Sequence, residues 1–451
     1  MIAVKNKTLV ALLLFLSAAR TLAQMPVILS PQEQAKVQDE WLKNRVATVL
    51  PEHMRRSGID MWLLIGREYN EDPVLKTMLP ATWLSARRTT MLVIYDTGDT
   101  LETLACARYN IGEVFRKAWD PERQPDQWQR LREIIETRNP KRIGVNRSAH
   151  WGHADGLSSF HYEQLREVLP EKFRSRIVSA EALAVGWLET RTAAELVVYE
   201  QICRIAHTVI AEGFSEQVIQ PGITTTEDVV WWYRRRIEQL GLGAWFHPTV
   251  DVQRKDPTAT GEKRNFANRP DQEVIMPGDL IHVDFGISYL GLHTDTQENA
   301  YVLQAGETAP PAYIEAAYNK GLQLMDILTG EFATGRTGNE ILASALAKAK
   351  AEGLRPSIYT HPIGYHGHGA GPTIGLWDQQ GGVPNNGDYP LYPNTCYAIE
   401  LNHTIFVPEW NKDIRIMLEE NAVFDGNTVR YIDGRQRELF LIPRPVATHG
   451  Q

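Results

Sequence analysis

The chain has 451 residues, 43% hydrophobic and 23% charged, with a formal charge of −8 and a sequence pI near 5.9. That size leaves room for two or three domains with full cores, and the composition excludes a disordered chain. The net negative charge, without any block of like charges, speaks against a nucleic-acid partner; Arg234, Arg235 and Arg236 read as a solvated helix face.

The chain opens with MIAVKNKTLVALLLFLSAARTLAQ, in which Lys5 and Lys7 precede an apolar run from Leu9 to Ala19. Thr21, Leu22 and Ala23 supply small residues for cleavage before Gln24, so residues 1–23 read as a removable secretory signal. The alternative is an uncleaved anchor, but the run is short for a bilayer. Removal takes away three cations and no acid, which brings the charge to −11. The expectation is an exported protein, periplasmic or secreted, with no membrane attachment after processing. Cys106, Cys203 and Cys396 are odd in number and widely spaced, which argues for core fillers over a disulfide framework or a zinc–thiolate cluster.

Ser30-Pro31-Gln32-Glu33 is a helix start, and the helix is expected to run to Leu50 before Pro51. Residues 58–66, 89–96 and 141–146 read as buried strands of an α/β domain spanning 24–187. A long helix follows from about Ala193 to Val218. Then PGITTTEDVVWWYRRRIEQLGL (221–242) finds a partner in TGRTGNEILASALAKAKAEGL (334–354). In each, a glycine precedes a capping threonine (Thr224, Thr337), a glutamate follows three residues on (Glu227, Glu340), and the helix stops at Gly-Leu. Two matching capped helices about 113 residues apart imply a duplicated half-domain, with a cleft between the halves. A further helix is expected from Pro311 to Gly330.

Between the repeats, IHVDFGISYLGLHTDTQENAYV (281–302) reads as a hairpin centred on Tyr289-Leu290. That centring sets Asp284 directly opposite Asp295, where like charges destabilise a sheet unless a cation lies between them. Two carboxylates so placed can hold a pair of divalent ions; two solvated acids on an exposed hairpin is the alternative. HPIGYHGHGAG (361–371) sets three histidines among glycines, which suits presenting an imidazole to a metal. CYAIELN (396–402) carries Glu400 between Ile399 and Leu401, and a carboxylate in a buried strand is costly unless paired or metal-bound. IRIMLEENAVF (414–424) carries Glu419 and Glu420 in the same way.

The order Asp, eleven residues, Asp, then Gly-His-Gly-x-Gly, then Glu, then Glu resembles the pita-bread metallopeptidases, the aminopeptidase P, prolidase and methionine aminopeptidase relatives. The match spans about residues 190–430 and includes GDLIHVDFG (278–286) and FHPTV (246–250). The resemblance implies an α/β pita-bread catalytic domain (188–451) of two pseudo-twofold halves, behind a smaller creatinase/prolidase-like domain. It implies Asp284, Asp295, His368, Glu400 and Glu419 as ligands of two divalent ions, manganese, cobalt or zinc. His368 is preferred over His366, and Glu419 over Glu420, from the fit to the family motif. The two ions would share a bridging hydroxide that attacks a peptide carbonyl, with Glu400 shuttling the proton. His361 is a candidate to steady the oxyanion, or a loop-stabilising histidine; His361, His366 and His247 are substrate-binding candidates. The implied function is an exported aminopeptidase or dipeptidase acting on short peptides, with Xaa-Pro bonds as a candidate target, and a homodimer. Three departures bear on substrate: Ala267 where a histidine is usual, GLWDQQG (375–381) without the usual His-Glu, and Thr296-Gln297 where Thr-Arg is usual. They leave open a creatinase-like hydrolase or lyase of small molecules, or a relative that binds without turnover.

Overall fold

The computed structural model describes residues 25–255 and 272–444. Residues 1–23, read above as a secretory signal, and the Ala267 position lie outside the described residues, and no described helix is long and apolar enough to cross a membrane.

The first helix, Pro31–Ser57, starts with the expected capping box on Ser30 and Glu33 but runs straight through Pro51. Proline removes one backbone hydrogen bond, yet the next turn buries Met54 on the stripe that also buries Leu50. Burial of such a side chain is worth roughly 1.5–3 kcal/mol, comparable with the ~3 kcal/mol that a helix-interior proline costs, and His53 in the same turn is buried as well. It ends at Gly58, whose φ of 64° suits a left-handed cap. Behind this helix lies a six-stranded mixed sheet. The expected strands occur at Met61–Arg67, Thr89–Asp96 and Ile143–Val145, and Leu101–Ala105, Arg116–Lys117 and Ile177–Ser179 extend them.

The helix Ala193–Gly213 then leads into a nine-stranded sheet. It ends five residues short of Val218, at Gly213, where any Cβ would lie 2.3 Å from the Tyr233 hydroxyl. The central path of the sheet reads Pro356–Ile358, Thr395–Val407, Lys412–Phe424, Thr296–Val302, Leu280–Phe285, Thr249–Gln253. That order is a palindrome: each half contributes an outer, a middle and an inner strand, and the inner strands meet at Gln297 and Glu419. The helices Thr226–Gln239 and Gly338–Ala351 follow equivalent loops. Gly222 N donates to Ile275 O, and Ile275 N to Thr224 O. In the other half Gly335 N donates to Leu391 O, and Leu391 N to Arg336 O. The duplicated half-domain is therefore present, with one correction. The cap of the first repeat is Thr225 with Asp228, not Thr224 with Glu227, because Thr225 bridges to Val274 and so sets where the helix starts.

Strand alternation explains the rest. Val283 and Phe285 pack on the first helix pair, and Ile399 and Leu401 on the second. The residues between them, Asp284 and Glu400, necessarily face the opposite side of the sheet.

Candidate metal centre

The hairpin does not turn where its symmetry suggested. Tyr289 pairs with Leu292, and the two-residue turn is Leu290-Gly291, with φ of 55° and 76°. Both positive values fit the turn type that matches strand twist. This centring moves the register by two, so Asp284 lies opposite Gln297 and Asp295 sits just before the strand Thr296–Val302. The facing-acid expectation is corrected to a diagonal one. The two side chains still converge, because ligand atoms of Asp284, Asp295 and Glu419 lie within 4.8 Å of one another.

One row runs across the sheet through Thr249, Asp284, Gln297, Glu419 and Glu400. Asp295 is held over this row by Asn421, whose amide Nδ2 donates to Asp295 O and Thr296 Oγ1 while its Oδ1 accepts from Asp295 N. Glu400 is anchored through its backbone, with N donating to Thr360 Oγ1 and O accepting from that hydroxyl and from Tyr359 N.

The imidazoles come from the glycine-rich segment. His361 Nε2 lies 3.7 Å from Asp295 Oδ2, 3.8 Å from Glu400 Oε2 and 3.5 Å from Glu419 Oε1. Its Nδ1 donates to Pro362 O, which leaves Nε2 as a bare acceptor aimed at three carboxylates. His368 stacks edge-on against His361 at 4.8 Å and shares a cluster with His361 and Asp295. His361, expected beside the oxyanion, thus stands inside the donor set. His366 stacks instead on His153 of the N-terminal domain, and exposed His247 lies on Trp231, and neither belongs to a metal-binding cluster among the described residues. Glu420 lies on the other face of the sheet, where its Oε2 is 3.0 Å from His207 Nε2, while Glu419 lies in the row.

Electrostatics favour cations here. Burial first, then repulsion from Glu419, Asp284 and Glu400, pushes Asp295 well above the usual carboxylate range. Burial and the neighbouring acids do the same to Glu400 and Glu419. Burial pulls His361 down, and pulls His368 to about 4. Asp295 Oδ1, Glu419 Oε1 and His361 Nε2 are buried without a hydrogen-bond partner among the described residues. Four carboxylates and two neutral imidazoles with orphaned atoms fit divalent ions, and two such ions balance four negative charges.

A pH effect follows for the chelated protein. Carboxyl groups raised in the folded state stabilise it fully below about pH 4 and lose that contribution as pH rises through their folded pKa. The depressed histidines act the other way, but only below about pH 6.5, since above it they are neutral folded or unfolded. Between pH 6.5 and 8 only the loss remains. Chelated protein should therefore unfold at lower urea at pH 8 than at pH 6.5, and manganese should restore more stability at pH 8; denaturant titrations with and without metal check this.

Three contributors were not read from the sequence as part of the centre, Gln297 having been noted only as a departure from Thr-Arg. Gln297 Nε2 donates to Glu400 Oε1 and Glu419 Oε2, and its Oε1 accepts from His282 Nε2, so it ties two ligand strands together. Only its place two residues after Asp295 could have signalled this. Replacing Gln297 by alanine should weaken metal affinity about 10–100-fold, the usual cost of losing an orienting partner, as read by metal titration. Trp245 donates to Thr294 O and packs edge-on against His368. A Cβ on Gly367 or Gly286 would lie 2.4 or 2.5 Å from Trp245 atoms, so both glycines let this indole wall the site. Asn421 is the third.

Residues 198–429 match the sequence profile of metallopeptidase family M24. No protein of curated function matches the sequence. Among solved structures the chain resembles an X-Pro aminopeptidase from Thermotoga maritima MSB8, at 18% identity and a TM-score of 0.60, covering 86% of this chain and 99% of that one. It also resembles a prolidase from Pyrococcus horikoshii OT3, at 16% identity and a TM-score of 0.53, covering 90% of this chain and all of that one (100%). A dipeptidase PepE from Mycobacterium ulcerans has 16% identity and a TM-score of 0.54 over 92% of this chain and 100% of that one. At these identities the likeness is one of fold.

Proposed function

Since the chain belongs to metallopeptidase family M24, a family of metal-dependent hydrolases, we propose that it cleaves short peptides near their amino end, with bonds to proline as the preferred target. The observation that carries this reading is the convergence of Asp284, Asp295, Glu400 and Glu419 with His361 and His368. These residues would hold two divalent ions, manganese, cobalt or zinc, which supply Lewis acidity and lower the pKa of a coordinated water.

The protein's own groups would do the remaining work. Glu400 is the most accessible of the carboxylates that flank His361, at 17% side-chain exposure against 6% for Asp295 and 1% for Glu419. It is the group suited to take up a proton and return it to the leaving amine. His361, acceptor at Nε2, would complete the ligand set rather than donate to an oxyanion. Trp245 keeps bulk water from one wall. The N-terminal domain reaches the glycine-rich loop through His153 on His366, and Trp151 meets Tyr389 at 5.3 Å. Those contacts support a cleft closed on one side and limited to small substrates. Export belongs to the same reading, on the strength of Lys5, Lys7 and the apolar run after them. So does a homodimer.

A second reading keeps fold and metals but exchanges the peptide for a small molecule, as in creatinase-like enzymes. The exposed Trp377 and Asp378 at the segment where family peptidases carry His-Glu favour it. Metal-loaded protein should be given matched Xaa-Pro and Xaa-Ala dipeptides and tripeptides. The peptide reading expects a free amino acid from the proline series. No release from any peptide by fully loaded protein would overturn it, and failure to take up metal would instead favour a binding relative without turnover.

A further inference from the structure

The acids one step out of phase with the ligands form a second cluster. Glu298 and Glu420 follow Gln297 and Glu419 along their strands, so they project from the opposite face of the sheet, beneath the helix Ala193–Gly213. There His207 of that helix meets them: its Nε2 lies 3.0 Å from Glu420 Oε2, and ligand atoms of His207, Glu298 and Glu420 all fall within 4.8 Å of one another. Glu298 is 4% exposed, and its Oε2 is buried without a hydrogen-bond partner among the described residues.

We propose that His207, Glu298 and Glu420 bind a divalent cation of the zinc type, separate from the catalytic centre. The neighbours are arranged for it. His207 Nδ1 lies 3.1 Å from Asp433 Oδ2, and a carboxylate on the far ring nitrogen is how metal-binding histidines are usually oriented. Asp433 is itself fixed by Arg204, which donates to its Oδ1 from Nε and Nη2. Glu420 Oε1 accepts from Gln436 N, which leaves Oε2 for the ion. An ion there would displace the ring proton that, against burial, Glu420 and Asp433 hold on His207; the two glutamates then balance one divalent charge, while Asp433 and Arg204 cancel each other. One imidazole and two carboxylates leave a fourth tetrahedral position, and the 19% side-chain exposure of His207 gives an entry path. Zinc ligands at about 2.0–2.2 Å from the metal lie roughly 3.3 Å from each other, near the separation already present between His207 and Glu420. The site stands independently of the substrate reading above.

The test uses the full mature chain, stripped with chelator and equilibrated with buffered zinc. Wild type should retain one more zinc per chain than Glu298→Gln, whose isosteric amide keeps the packing but loses the charge. Zinc-soaked wild-type crystals should show an anomalous peak between His207 Nε2 and the two glutamates. Equal zinc in both proteins together with no peak at that place would overturn the proposal. If the variant fails to fold, or the two results differ, the wild-type map decides: a peak sustains the site and its absence removes it.

Discussion

Glu400→Gln should lower kcat/KM at least about a thousandfold while making the chelated protein harder to unfold. Both effects come from one carboxylate. Loss of a group that moves protons in the transition state costs about 10²–10⁴-fold by itself, and this residue is a candidate metal ligand as well. Its pKa is raised well above the ordinary value by burial and by Glu419 and Asp284, so the metal-free fold holds it against repulsion. Glutamine keeps the shape, and its amide oxygen still accepts from Gln297 Nε2, which now donates to Glu400 Oε1. Opposite signs for activity and metal-free stability are what a functional site under electrostatic strain gives. Steady-state kinetics and urea unfolding of the chelated protein read the two. A variant that loses stability as well as activity would point to a structural role for Glu400.

Glu195→Ala should cost about 3–5 kcal/mol of folding stability, the largest single effect expected outside the metal centre. Glu195 caps the helix Ala193–Gly213 through Thr192, and its side chain is fully buried. Burial pushes its carboxyl up, but Arg45 and Arg191 outweigh that and hold it below the usual range. Arg45 comes from the first helix, 2.9 Å away, and also donates to Thr190 O and Trp187 O; its guanidinium stacks on Trp187 and Tyr365. This one carboxylate thus joins the N-terminal helix, the inter-domain segment and the glycine-rich loop. Alanine leaves two buried guanidiniums without a counter-charge. Denaturant unfolding of the variant measures the loss, and a change below about 1 kcal/mol would put the pair among those that contribute little.

How much of this was readable depends on what each residue contradicts. Glu400 and Glu419 were legible because a carboxylate inside an apolar strand breaks its own pattern, and the glycine-histidine loop because so many glycines serve little else. The register of the Asp284 hairpin was not, since a leucine at positive φ carries no turn signal, and a two-residue shift moved Gln297 into the row. TTTED permitted two capping pairs, and only the bridge from Thr225 to Val274 chose between them. Glu298 and Glu420 were hidden by their neighbours: next to a ligand, an acid reads as part of the same site until strand alternation sends it to the other face. Pro51 misled because burial of the next turn outweighed a local rule.

The most direct measurement is an anomalous difference map of the protein crystallised with manganese. The account predicts two peaks enclosed by Asp284, Asp295, Glu400 and Glu419, with His361 or His368 bound to at least one. A fully occupied crystal with manganese elsewhere, or with those carboxylates turned away from it, would contradict the account at its base.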